Sequence, residues 1–191
     1  MRRYAFLLGS AALLLACRET PSTVASATRL GIGSTPAQAL IDSLDIDVDT
    51  SGNGLPAGHG DARRGAELFR AQCAACHGAS GEGMEPAYPK LVAREPATGF
   101  PFASDFKISK TIGNYWPHAT TLFDYIRRAM PLTAPRSLSD DDVYSLTAYL
   151  LAANGVIAPD ATLDRSTLLA VRMPARDRFV DDDRRGGREI R

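Results

Sequence analysis

Residues 61–77 read Asp-Ala-Arg-Arg-Gly-Ala-Glu-Leu-Phe-Arg-Ala-Gln-Cys-Ala-Ala-Cys-His, and the last five decide how the chain is read. Ala66, Phe69 and Cys73 recur at helical spacing behind Asp61, a residue suited to capping, which predicts a helix from Asp61 to Ala75. Its end presents two thiols one turn apart with an imidazole beside the second. A zinc site would need two more ligands, and His59 and His118 do not sit in a paired spacing. A thiol redox motif belongs in a βαβ setting that the surrounding pattern lacks. A disulfide across so short a loop would stabilise little. Haem attachment gives every residue a role, since Cys73 and Cys76 add across two vinyl groups and His77 becomes an axial ligand of the iron.

The elements downstream are also helical. Leu122, Tyr125, Ile126 and Ala129 share one side of a segment from Thr120 to Met130, which Pro131 stops. Ser139-Asp140-Asp141-Asp142 starts a further helix, with acids at the positive end of its dipole. It runs through Val143, Leu146, Tyr149 and Leu150 to Asn154-Gly155. Gly78 to Phe106 is rich in Gly and Pro and has no sustained period, which predicts a structured loop. The expected fold is all-α, three to four helices over residues 61–155, with extended N- and C-terminal arms. So small a core seldom folds securely alone, and a covalently bound haem would supply the missing apolar interior.

Residues 61–155 resemble the class I cytochromes c. Gly65, Phe69 and Tyr149 match the crossing of that family's first and last helices. The resemblance implies that the Pro89 carbonyl accepts the other ring N–H of His77. It also implies that Met130, in a Met-Pro element, is the sixth ligand, a soft donor that favours ferrous iron and closes the coordination sphere. Met173, in Arg172-Met173-Pro174, is its competitor. Tyr115 and Trp116 could bound the haem pocket or pack in the core, and Arg127 and Arg128 could face haem propionates, a partner or solvent.

A narrower resemblance lies in Thr111-Ile112-Gly113-Asn114-Tyr115-Trp116-Pro117 and its continuation to Pro131, with Leu30-Gly31-Ile32-Gly33 and Asp45-Ile46-Asp47-Val48. These are similar to the cytochrome subunit of bacterial sulfite or sulfane dehydrogenases. That implies a monohaem electron-transfer subunit, not an enzyme by itself, which takes electrons from a molybdopterin-containing catalytic subunit. A downstream acceptor such as another cytochrome c would receive them. A free-standing cytochrome serving a respiratory chain is the alternative, and haem catalysis at an open sixth site is a third.

The N-terminus addresses the chain outward. Arg2 and Arg3 precede an apolar run to Ala16, too short to span a bilayer, which predicts a signal peptide over residues 1–16. Leu14-Leu15-Ala16-Cys17 resembles a lipobox, with Cys17 the residue to be lipidated and the product held at a membrane on the periplasmic side. Residues 17–29 suit a flexible tether, and 30–60 an extension in which Leu40 to Val48 either docks on a partner or straps its own domain. Residues 156–191 are expected as a C-terminal arm whose last part, Asp181 to Arg191, is disordered. Acidic and basic residues balance at 22 each, which speaks against a nucleic-acid partner.

Overall fold

The computed structural model describes residues 33–96 and 98–180. Cys17, the signal segment, the tether and the tail from 181 lie outside them, as do the expectations placed there. The compact unit begins at Gln38. Its described residues form α1 (Gln38–Leu44), β1 (His59–Asp61), α2 (Ala62–Gln72), α3 (Ala74–His77), α4 (Ala119–Ala129), α5 (Asp140–Ala153), β2 (Thr162–Asp164) and α6 (Arg165–Ala170). None of these helices is long and apolar enough to cross a membrane.

Helix α2 starts where Asp61 accepts hydrogen bonds from the N–H groups of Arg63 and Arg64, each 2.9 Å. Those bonds hold the Asp61 carboxyl below its usual range. The helix buries Ala62, Gly65, Leu68 and Phe69 against α5. At the crossing, a Cβ on Gly65 would run into the backbone of Ser145 and the Cβ of Tyr149, so only glycine permits the approach. One turn on, Phe69 and Tyr149 pack with ring centroids 5.1 Å apart. The expected helix from Asp61 to Ala75 is in fact broken at Cys73 (φ −118°, ψ −34°), and a separate turn, α3, carries the rest of the motif.

Helix α5 is capped by Ser139, whose side chain accepts from the Asp142 N–H. It is the core helix, with Val143, Tyr144, Leu146, Ala148, Leu150 and Leu151 buried. Helix α4 packs across it, and Phe123 meets Tyr144 at 4.6 Å. The helix expected from Thr120 to Met130 begins and ends one residue earlier.

Two segments outside 61–155 complete this core. Beyond Val156 the chain returns as β2, which pairs antiparallel with β1 so that Gly60 lies opposite Leu163. Leu163, Leu168, Met173 and Ala175 are buried there. The C-terminal arm is therefore folded onto the domain as far as the described residues run. Strand β2 and helix α6 escaped the sequence reading because each is short and takes its face from the domain beneath it. On the other side, residues 46–55 form a strap with Val48 and Leu55 buried. The Val48 N–H donates to Asp124 Oδ1 at 2.8 Å, and Arg127 Nη1 donates to the Ile46 carbonyl at 2.9 Å. Arg127 Nε also donates to Asp140, and Arg128 pairs with Asp124. The two arginines thus pin the strap. Helix α1 behaves differently: it buries no residue and leaves Leu40, Ile41 and Leu44 exposed.

Burial pulls the Asp124 carboxyl upward, but the Arg128 hydrogen bond, the Val48 N–H and the two guanidinium charges outweigh it and hold the group below 3.8. A depressed folded value contributes stability above 3.8, and that contribution is lost as pH falls through the lowered value. Asp124→Asn should therefore cost about 1–3 kcal/mol at neutral pH. By thermal melts of the holoprotein, the gap to wild type should close in acid. Equal midpoints at pH 7 would refute this account of the strap.

Candidate functional site

Cys73 ends α2, its N–H donating to the Phe69 carbonyl at 2.9 Å. The N–H groups of Cys76 and His77 then both return to the Cys73 carbonyl, at 3.1 and 2.9 Å, winding the single turn of α3. Cys73, Cys76 and His77 are all partly exposed, and the two thiols are not joined. Burial, and secondarily the neighbouring Cys76, push the Cys73 thiol up to about 11. That is the opposite of the lowered value on which thiol-exchange chemistry depends.

The loop after α3 turns back to place a carbonyl beside the imidazole. The Gly83 N–H donates to the His77 carbonyl at 2.8 Å, and Leu91 and Val92 both donate to the Gly81 carbonyl. Gly83 has φ +78°, and a Cβ there would lie 2.7 Å from the Lys90 nitrogen. The chain can fold over itself this tightly only with glycine at that point. The result is His77 Nδ1 at 3.3 Å from the Pro89 carbonyl oxygen. A carbonyl only accepts, so Nδ1 is the donor in this bond and Nε2 is the ring nitrogen it leaves unengaged. The Tyr88 ring stands edge-on to His77 at 6.4 Å.

Met130 follows the last turn of α4, its N–H on the Ile126 carbonyl at 3.2 Å and its backbone already extended (φ −115°, ψ 150°). It is partly exposed, whereas Met173 is 2% exposed within the hydrophobic core. Trp116 is half-buried just before α4 and meets the exposed Tyr125 at 5.9 Å, edge to face. Tyr115 turns elsewhere. It stacks on Phe100 at 5.6 Å and packs edge-on to Phe102 and Phe179, with the Lys110 ammonium 4.9 Å from its ring centroid.

These features fit a flat apolar macrocycle. The protein offers thiols a turn apart, an oriented imidazole with one free nitrogen, a partly exposed thioether, and large side chains left uncovered: Met84, Tyr125 and Leu132. Among the described residues no three His, Cys, Asp or Glu side chains are gathered as a cage for a bare ion.

Sequence reasoning missed the residues that brace this loop. Asn154 looked like a helix stop, yet it is 1% exposed and works in three directions. Its Oδ1 accepts from the Ala93 N–H at 3.1 Å, while Nδ2 donates to the carbonyls of Leu91 and Leu150 at 3.3 and 2.8 Å. Asn114 is likewise buried, accepting from the Thr111 N–H and donating to the carbonyls of Glu95 and Ser109. Polar side chains within an otherwise apolar or loop stretch were the available signal, and their partners lie too far along the chain to be read from it.

Known proteins share both the pattern and the shape. A family model described as cytochrome c oxidase, cbb3-type, subunit III, matches residues 60–150. Among solved structures, the chain is similar to one in the crystal structure of the sulfane dehydrogenase SoxCD from Paracoccus pantotrophus. The two share 36% identity with a TM-score of 0.69, over 81% of this chain and 73% of that one. No curated protein matches the sequence.

Asn154→Ala would leave the Ala93 N–H and the Leu91 carbonyl without these partners, at a cost of about 2–3 kcal/mol. Amide exchange at Ala93 should speed up well before the helices open. Exchange unchanged at that position would show that the loop is held by other means.

Proposed function

Since the chain belongs to the c-type cytochromes, which carry covalently bound haem c, we propose that it is the monohaem electron-transfer subunit of a molybdenum-dependent sulfite or sulfane dehydrogenase. The observation that carries this reading is its 36% identity, over most of its length, to a chain of a sulfane dehydrogenase. The bound group supplies a one-electron ferric/ferrous couple.

The chain's own residues prepare that couple. Cys73 and Cys76 form the thioethers, and the fixed turn of α3 sets their spacing. His77 ligates through Nε2, and its Nδ1–H bond to Pro89 holds the ring in one orientation and raises its basicity. Met130 is the sixth ligand. The core burial of Met173 supports this choice, because withdrawing that side chain would open a cavity costing about 2–5 kcal/mol. Trp116 lines the site beside Tyr125. With His77 and Met130 both holding the iron, the chain would offer a substrate no open coordination site and would act as a relay rather than as an enzyme by itself.

The donor in this reading is a molybdopterin-containing catalytic subunit and the acceptor another redox protein such as a second cytochrome c. The protein is exported, and acylation of Cys17 holds it at the periplasmic face of a membrane. The alternative, a free-standing tethered cytochrome serving a respiratory chain, predicts no stable partner.

Native pull-down should recover a molybdenum-containing subunit, and adding sulfite or a sulfane donor to the complex should reduce the haem. Recovery of the cytochrome alone would favour the alternative. Met130→Ala should remove the far-red methionine-to-iron absorption band while the haem stays attached, whereas Met173→Leu should retain it. The reverse pattern would assign the sixth position to Met173.

A further inference from the structure

The turn Thr111-Ile112-Gly113-Asn114 supplies no ligand to the haem, yet it lies against the loop that orients His77. Pro89, whose carbonyl makes the contact with the imidazole, is exposed and has no N–H to anchor it. Its carbonyl therefore takes its position from the residues on either side. The 3.3 Å between that oxygen and His77 Nδ1 is longer than the usual value of about 2.9–3.0 Å. A small movement of the carbonyl would change the strength of this bond.

Two residues beyond Pro89 the backbone is clamped. The Leu91 carbonyl accepts from the Ile112 N–H at 3.2 Å and from Asn154 Nδ2 at 3.3 Å. The Ala93 N–H donates to Asn154 Oδ1 at 3.1 Å, and the Ala93 carbonyl accepts from Thr111 Oγ1 at 2.5 Å. Thr111 is 1% exposed, so its hydroxyl bond is shielded from competing water. Gly113 lets the two halves of the clamp close, because a Cβ there would lie 2.5 Å from Asn154 Oδ1 and 2.7 Å from the Ala93 oxygen. Asn114 fixes the turn itself by accepting from the Thr111 N–H at 2.8 Å. Plain packing would need none of this polarity, since valine would fill the space of Thr111 equally well.

We propose that Thr111 and Asn154 are positioning residues for the axial histidine: by clamping residues 91–93 they hold the Pro89 carbonyl against His77 and so set the reduction potential of the bound haem. The inference rests on the reading of His77 as the axial ligand and adds what fixes that ligand's strength. The Nδ1–H bond to Pro89 makes the ring a more basic ligand, and a more basic ligand favours ferric iron. Releasing the clamp lets the carbonyl drift from Nδ1, weakens the ligand and raises the potential.

The test uses the full-chain holoprotein, equilibrated with a redox mediator. Thr111→Val and Asn154→Ala should each move the ferric/ferrous equilibrium at least threefold toward ferrous, with the far-red methionine-to-iron band kept. By proton NMR, the His77 Nδ1 proton should exchange with solvent at least tenfold faster in both. Thr111→Ser should return both readings to wild type. Leu163→Ala, which empties a buried site beneath β2 and touches none of these bonds, should lower the thermal midpoint and leave both readings unchanged. Thr111→Val keeps the shape of the side chain, so it decides the matter should Asn154→Ala fail to retain haem. An equilibrium equal to wild type in Thr111→Val would overturn the proposal. So would a shift toward ferric, the mark of water entering the loop, or an equal shift in Leu163→Ala. A wild type whose His77 ring protons show no shift from the iron would overturn the reading of His77 and the inference with it.

Discussion

The contact on which the rest depends is the crossing of α2 over α5. Gly65 lets the two backbones approach at Ser145, and the pairing of Phe69 with Tyr149 then sets the rotation of α2 about its own axis. Everything that positions the haem attachment turn is downstream of that rotation. Phe69 supplies the carbonyl that terminates α2 at Cys73, and Cys73 supplies the one that winds α3. The far end of the same α5 carries Asn154, which grips the backbone of Leu91 and Ala93 just beyond Pro89. One helix therefore acts as a ruler, with His77 referenced to its middle and the carbonyl that orients it referenced to its end.

Much of this was legible in the residues. The motif at Cys73–His77, the caps at Asp61 and Ser139 and the apolar faces of α4 and α5 are local signals, in which the residues that interact are close in sequence. The contact of Pro89 with His77 was also expected, from the resemblance to class I cytochromes c rather than from spacing. What could not be read were interactions whose two halves are far apart. Arg127 looked like a solvated helix arginine because its partners, Ile46 and Asp140, belong to other elements. Strand β2 has three residues and no amphipathic period of its own, and it exists because its backbone pairs with β1 and Leu163 is buried in the core. The break at Cys73 was hidden because the residues on either side of it are good helix formers.

The strap and α1 show how one stretch can serve two roles that composition alone does not separate. From Ile46 to Leu55 the chain belongs to its own domain, held by the buried carboxylate of Asp124 and by Arg127. The seven residues of α1 before it keep their apolar side chains in solvent. A helix that short is marginal in water without a surface to lie on. Its attachment runs through its C-terminal end, where the Ser43 carbonyl accepts from Arg136 at 3.1 Å.

The pairing of β1 with β2 joins residues about a hundred positions apart and places them directly before α2. Contacts of such separation slow folding, because the loop between them must be closed before the pairing repays it. In chain order the attachment turn at Cys73–His77 precedes Leu163, Leu168 and Met173, which are buried in the core. Cys73 and Cys76, whose thiols add across the haem vinyl groups, are thus made well before the residues that close the core. The last long loop to close is therefore set by the β1–β2 pairing, and the residues that complete the interior come from the end of the chain that is made last.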